Sequence, residues 1–364
     1  MRTFFIGEQG VTEQTQDICI NLASNPNDYI WLACTRNEFE SNAERIQGAL
    51  LNLGASPLLD LHVSDLLNHQ LPSHHDFTSN YDIVVFRRLA SYRASTTAST
   101  LVHAPIAQLQ RCIDTQAVGF AVFDRVLLSV HPDSCSVLDS YASKLLQPSS
   151  LAGSSNKRLP TSSADLMLRI INLMVDGYLG LRKDLTTALD HWQNELLNPH
   201  TRFHHWTAIL DARMALHQLD DVCEDQRACI QDWIEATKTW PIPETHAERT
   251  NLELLQVRSR DVLEHIERVI QHVRKLEQSA EAAVQIHFSV QGNRTNDIMR
   301  TLTVLTAIFL PLNLIASIFG MNFDFIPLLH KQTGFWWILG LMAICASGLT
   351  AFFWRKRYLS RTNR

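Results

Sequence analysis

The sequence predicts an α+β cytoplasmic domain, a long-helix stalk and two C-terminal transmembrane helices. Three observations predict it. Two uncharged apolar runs stand close together near the C-terminus. Strand-like and helix-like segments mix over the first 145 or so residues. Between them the chain reads as helix almost without interruption. On this reading the 364 residues divide into a domain at 1–147, a linker at 148–163, a stalk at 164–299 and a transmembrane hairpin with a basic tail at 300–364.

The apolar runs come first because they bound the function. Leu302 to Phe319 has 18 residues without a charge, and Phe335 to Trp354 has 20. About 20 apolar residues of helix cross a hydrocarbon core of roughly 30 Å. The spans are therefore expected at about 300–319 and 335–354, with the lipid bilayer as a partner. Arg355-Lys356-Arg357, Arg361 and Arg364 follow the second span, and basic residues stay on the cytoplasmic side. An even number of spans then puts both termini in the cytoplasm, in a cytoplasmic (inner) membrane. Trp336, Trp337 and Trp354 sit where interface anchors belong.

Charge divides in the same way. From Thr295 onward seven basic residues face two acids, a net +5; the preceding part has 25 bases against 35 acids, a net −10. The acidic balance argues against a nucleic-acid partner.

In the N-terminal domain, Tyr29–Cys34 and Asp82–Phe86 are β-rich runs, and Val118–Phe123 with Val126–Val130 reads as a hairpin around Asp124-Arg125. Amphipathic helices are expected at Glu38–Leu53 and Ser136–Leu146. Pro148–Ser163, rich in Ser, Pro and Gly, reads as a loop. Helices are then expected from Asp165 to about Leu197, stopped at Asn198-Pro199, and from Arg202 to about Trp240, stopped by Pro241. A third starts at Thr245. Leu255, Val262, Ile266, Val269, Ile270, Val273 and Leu276 give it an apolar face among charged neighbours. It runs unbroken to Phe319, roughly 110 Å at 1.5 Å per residue, or breaks near Gly292-Asn293.

Span one carries a stripe. Asn296, Met299, Thr303, Thr306, Leu310, Asn313 and Ser317 recur at steps of 3 and 4, and five of the seven are polar without charge. Such spacing keeps one face of a helix toward a common axis. Two readings fit: polar side chains that glue helices together, or the wall of a pore formed by several copies. Neutral oxygens suit a cation that keeps its water, and Mg²⁺ gives up its water reluctantly. Met299 and Leu310 would then be apolar constrictions that gate by dewetting.

At the end of span one stands Gly320-Met321-Asn322, with Pro311 upstream and Phe323 and Ile326-Pro327 after it; a short loop, a second span and a Lys/Arg tail follow. This combination resembles the CorA family of divalent-cation transporters. The resemblance extends to Arg260-Asp261-Val262 and to Arg294–Asp297. It implies a funnel-shaped homopentamer that passes hydrated divalent cations, Mg²⁺ first and also Co²⁺ or Ni²⁺, down their electrochemical gradient. It implies that Gly320, Met321 and Asn322 form the selective entrance, and that Asn296 lies near the cytoplasmic end of the pore. Asp324 would attract cations in the loop. Asp261 would help bind a regulatory divalent ion that holds the channel closed, although a solvated helix face explains Asp261 equally well.

Three departures from the family pattern stand out. Phe319 replaces a common Tyr, Leu328 replaces a common acid, and His330 and Lys331 leave Asp324 as the loop's only carboxylate. They keep open a Zn²⁺ transporter of the same superfamily, with proton coupling. A membrane-anchored cytoplasmic sensor or binding protein is the alternative of another class. No GxxxxGK[ST], HExxH or GxSxG motif supports an ATP-driven pump or a hydrolase, so no enzyme activity is expected. The seven cysteines form no CxxC pair, and their odd number fits a reducing compartment. The histidines at 200, 204 and 205, and the pair His74-His75, rank low as metal ligands.

Overall fold

The computed structural model describes residues 1–7, 10–14, 28–90, 113–147, 159–197, 206–241, 245–321 and 334–356. Two compact units emerge, Met1–Ala283 and Val284–Arg364. The first is built on seven strands: β1 (Arg2–Gly7), β2 (Gly10–Gln14), β3 (Tyr29–Thr35), β4 (His74–Phe77), β5 (Asp82–Leu89), β6 (Thr115–Val122) and β7 (Val126–His131). They form one sheet in the order β2-β1-β3-β7-β6-β5-β4. Only β3 and β7 pair in parallel; every other neighbour is antiparallel. The expected hairpin is β6–β7, with Gly119 opposite Val130.

The central strands are continuous apolar runs because both faces of the sheet are covered. Alternate residues feed two separate cores. Tyr29, Trp31, Val84, Phe86, Val118, Phe120 and Leu127 face one side. Ile30, Leu32, Ile83, Val85, Ala121, Leu128 and Val130 face the other. The edges, β2 and β4, are short and polar, which discourages pairing with a further strand. Both edges escape a search for long apolar runs, and so does β1.

Three short helices cover the second face: α1 (Arg36–Ser41), α2 (Ala43–Asn52) and α3 (Asp60–Leu67). The single helix expected over Glu38–Leu53 is thus two. Thr35 and Glu38 form a reciprocal capping box that starts α1. Asn42 ends it, since both its backbone N–H and its Nδ2 donate to the Glu38 carbonyl. Gly119 of β6 lies against α3, where an added Cβ would sit 2.4 Å from a Leu66 methyl.

The first face is covered by α4 (Ser136–Leu146), α5 (Ser163–Leu197), α6 (Trp206–Lys238) and α7 (His246–Phe319). Tyr178 Oη of α5 and Gln226 Nε2 of α6 both donate to the Arg87 carbonyl, at 2.9 and 2.7 Å, which ties the two helices to β5. In α7, Leu255, Ser259, Val262, Ile266, Val269, Val273, Leu276 and Ala280 are all buried. Their steps of 4 and 3 make a heptad seam. Arg274 reaches Asp220 at 3.1 Å, and Arg213 reaches Glu277 and Glu281 at 4.0 and 3.9 Å, so α6 and α7 run antiparallel. On the α5 side, Thr186 Oγ1 accepts from His272 Nε2 at 2.8 Å, because its own proton goes to the Arg182 carbonyl.

The helix continues through Gly292 and Asn293 as a single element of 74 residues. In the second unit its remainder is accompanied by α8 (Gly334–Arg355). Both helices contain a stretch long and apolar enough to cross a membrane, and those stretches are almost wholly uncovered among the described residues.

Ile266 is fully buried in the α7 seam. Ile266→Ala should therefore cost about 2–5 kcal/mol. Thermal unfolding of the full-length protein in detergent checks this, with the exposed Leu254→Ala expected to change little.

Candidate functional site

The stripe residues Asn296, Met299, Thr303, Thr306, Leu310, Asn313 and Ser317 are all solvent-exposed in the single chain, on one face of α7. Neighbouring positions of other phase, Val304, Ala307 and Ile308, are buried or half-buried. Two open grooves lie along the stripe. One of about 430 Å³ is lined by Met299, Thr303, Thr306, Leu310 and Pro311. The other, about 640 Å³, is lined by Thr306, Leu310, Asn313, Ala316 and, from α8, Met342.

The hydroxyls of the stripe have a fixed polarity. Thr303 Oγ1 donates to the Met299 carbonyl at 2.8 Å, and Thr306 Oγ1 donates to the Leu302 carbonyl at 2.9 Å. Each hydroxyl has one proton and two lone pairs. With the proton committed to the backbone, the oxygen presents its lone pairs outward as an acceptor. Pro311 sits inside the helix and brings no N–H, so the Ala307 carbonyl lacks its usual partner one turn on.

Outside the stripe the same unit exposes Ile298, Leu302, Leu305, Phe309, Leu314 and Ile318, and on α8 Trp336, Trp337, Ile344 and Trp354, each of the last four 70–73% exposed. A contiguous apolar surface of this size marks contact with lipid or with another chain.

Helix α7 ends at Phe319. Gly320 N donates to the Ala316 carbonyl at 2.9 Å, and Met321 N to the Ile318 carbonyl at 3.3 Å. A Cβ at Gly320 would sit 3.1 Å from the Ala316 oxygen. Glycine thus lets the chain close against the last turn, with Met321 exposed beyond it. Asn322 and Asp324 lie outside the described residues, as do the histidines at 200, 204 and 205.

Asp261 is exposed on α7, with its Oδ1 3.8 Å from His265 Nε2. Among the described residues no group of three His, Cys, Asp or Glu side chains could hold a metal, and Asp261 has no such companions there. His74 and His75 belong to β4 instead, where His75 Nε2 meets Asp82 at 3.0 Å. The described cysteines are unpaired, and burial pushes the Cys34 thiol up to about 12.

One feature near Asp261 was not read from the sequence. Arg258, one turn earlier, forms an ion pair with Asp165 at the start of α5. Asp165 is only 3% exposed and is also held by Arg169 at 3.1 Å. Burial disfavours the charged form of Arg258, which Tyr141 and the negative charge of Asp261 only partly offset. The Asp165–Arg169 half of this clamp is visible as an i,i+4 pair; the Arg258 half joins residues far apart in sequence.

Comparison with known proteins follows the same lines. A family model described as CorA-like Mg²⁺ transporter protein matches residues 61–357. The cobalt/magnesium transport protein CorA of Thermotoga maritima is 26% identical over 201 residues, 53% of this chain and 52% of that protein. The magnesium transport protein CorA of Haemophilus influenzae is 26% identical over 205 residues, 56% of this chain and 62% of that one. The chain thus spans about half to three-fifths of the length of these curated relatives. The solved CorA magnesium transporter of Methanocaldococcus jannaschii superposes with a TM-score of 0.70 at 18% identity, covering 98% of both chains. The cytoplasmic domain of ZntB from Vibrio parahaemolyticus gives 0.53 at 15% identity, covering 81% of this chain and 98% of that one. Both likenesses establish the fold.

Removing Arg258 leaves Asp165 Oδ1 without its ion pair, while Arg169 and the Thr161 N–H still hold Oδ2. Arg258→Met should destabilise the protein by about 1–3 kcal/mol, measured as a lowered thermal midpoint, whereas the exposed Arg268→Met should not.

Proposed function

This chain belongs to the CorA-like Mg²⁺ transporter family, and we propose that it conducts divalent cations, Mg²⁺ first, down their electrochemical gradient. In this reading several copies, five by the family resemblance, surround an axis. The stripe from Asn296 to Ser317 lines the path, in a cytoplasmic membrane with both termini inside.

The observation that carries the proposal is the exposed row of uncharged oxygens with the threonine protons turned inward. Mg²⁺ binds water tightly and dehydrates reluctantly. The waters around a cation point their oxygens inward and their hydrogens outward. A wall that keeps the shell intact must therefore accept hydrogen bonds, and Thr303 and Thr306 offer acceptors. Asn296 and Asn313 add carboxamide oxygens. Because the wall has no fixed negative charge, the ion is not trapped by it. Met299 and Leu310 supply apolar collars that close by excluding water.

The remaining roles follow the signature. Gly320, Met321 and Asn322 form the outer entrance, where Asn322 holds the hydrated ion, and Asp324 raises the local cation concentration. Asp261 takes part in a regulatory divalent site completed by a neighbouring copy, which draws mutually repelling acids together and favours the closed state. Co²⁺ and Ni²⁺ are further cargoes on the same logic.

Zn²⁺ is the second reading. It is favoured by the loop, where Leu328, His330 and Lys331 leave Asp324 as the only carboxylate, and by Phe319, which offers no hydroxyl. The likeness to the ZntB cytoplasmic domain adds support at the level of fold.

Flux into liposomes tests these readings, comparing Mg²⁺, Zn²⁺, Co²⁺ and Ni²⁺ with and without a proton gradient. Mg²⁺ flux indifferent to the gradient is expected. Asn322→Ala should abolish it with assembly intact. Thr303→Val and Thr306→Val should each lower it at least about tenfold while Thr→Ser variants keep it, since one lost hydrogen bond of about 1.4 kcal/mol is tenfold. Zn²⁺ flux that follows the proton gradient would move the protein to the zinc reading; no flux of any ion would favour an anchored sensor. Asp261→Ala should shift inhibition by internal Mg²⁺ to higher concentration, and an unchanged inhibition curve would remove Asp261 from the gate.

A further inference from the structure

We infer that the rim at the carboxyl ends of β3, β5 and β7 binds a phosphate-type oxyanion through Arg36, with Arg87 and Arg88 supplying the field. These three strands run in one direction, since β3 is parallel to β7 and β5 is two antiparallel steps away from it. Their last residues lead into Arg36, Arg87-Arg88 and His131.

The arginines surround the start of β6, Arg87 and Arg88 from opposite faces of the sheet. Arg87 and Arg88 stand opposite Ala117 and Gln116. Arg36 donates to the Ala117 carbonyl, and Arg88 Nη2 donates to Gln116 Oε1 at 2.8 Å. The positive charges of Arg87 and Arg88 disfavour the charged form of Arg36, after burial itself. Among the described residues none of the three forms an ion pair with a carboxylate. Asp133 is the acid nearest in effect to Arg36, but it is exposed and bonded to Asn37 Nδ2 at 3.1 Å. Asp225 feels the charge of Arg87 without pairing with it.

Donor satisfaction separates the roles. Arg87 is held by Thr115 and by the Leu71 carbonyl at 2.9 Å. Arg88 is 1% exposed and spends its terminal nitrogens on Leu89, Ala90, Gln116 and Ser134. Its Nε is buried with no acceptor, and so is the Nε of Arg36. Among the described residues Arg36 donates to the Ala117 carbonyl and meets no second acceptor. A half-buried guanidinium whose buried Nε meets no acceptor among the described residues, near two more positive charges, is an arrangement that an oxyanion completes. Arginine's planar fork matches phosphate geometry, and each buried N–H left without a partner is costly. Free phosphate and the phosphate of a nucleotide offer the same chemistry.

The test uses the purified full-length protein in detergent with EDTA. Thermal midpoints are followed against inorganic phosphate, ATP, and sodium chloride at matched ionic strength, and ³¹P line broadening gives a direct reading. A saturable upward shift with phosphate or ATP beyond that of chloride is expected, because a ligand bound to the native state stabilises it. Arg36→Gln should weaken the response at least about tenfold, as loss of a charge-assisted bond implies; Arg36→Lys should keep part of it. Arg213→Gln, an exposed arginine on α6, should leave it unchanged. The tighter of phosphate and ATP names the source. A response equal to that of chloride, or one that survives in Arg36→Gln, would overturn the site. Should Arg36→Gln fail to fold, Arg36→Lys and the wild-type ³¹P titration still decide.

Discussion

The apolar seam of α7 is the interaction on which the first unit depends. From Leu255 to Ala280 it buries one residue every three or four against α5 and α6, and those helices in turn cover one whole face of the sheet. Burying a side chain of Val or Ile size contributes roughly 1.5–3 kcal/mol, so the seam outweighs the exposed ion pairs around it, which solvent screens. Arg274 with Asp220, and Arg213 with Glu277 and Glu281, set direction and register more than stability. Polar groups pair across these helices: buried Trp233 Nε1 donates to Ser259 Oγ at 3.1 Å, and half-buried Gln193 Nε2 to Ser279 Oγ at 2.9 Å.

The same helix meets a different requirement beyond Ala283. There most side chains of α7 lack cover among the described residues, although the span is apolar. A row of hydroxyls and carboxamides in such a segment is expensive in hydrocarbon unless it faces water or another helix. Neutrality is what makes the row tolerable, because a charge would raise the cost of insertion far more. Sequence position alone therefore separates a face that serves packing, in the first unit, from a face held open, in the second.

How much of this was legible follows from the length scale of each signal. The spans, the hairpin, α4 and the α7 seam are long runs of one period, and periodicity survives in a sequence without tertiary knowledge. The stripe was legible for the same reason. Strands β1, β2 and β4 were not, because edge strands are short and polar and take their hydrogen bonds from a neighbour remote in sequence. The break at Asn42 was hidden because its cause is a local hydrogen bond that competes with an otherwise helical pattern. The Asp165–Arg258 pair and the arginines at the sheet rim are products of topology: strands and helices bring together residues that carry no mark of one another.

The inward-turned hydroxyls of Thr303 and Thr306 have one more consequence for the proposed path. A free hydroxyl rotates and can greet an ion of either sign, offering its proton to one and its lone pairs to the other. These rotors are pinned by the carbonyls of Met299 and Leu302. The shell of an anion points water oxygens outward and would find oxygen facing oxygen. Such a wall discriminates the sign of an ion through the orientation of fixed dipoles, with no charged residue in the stripe.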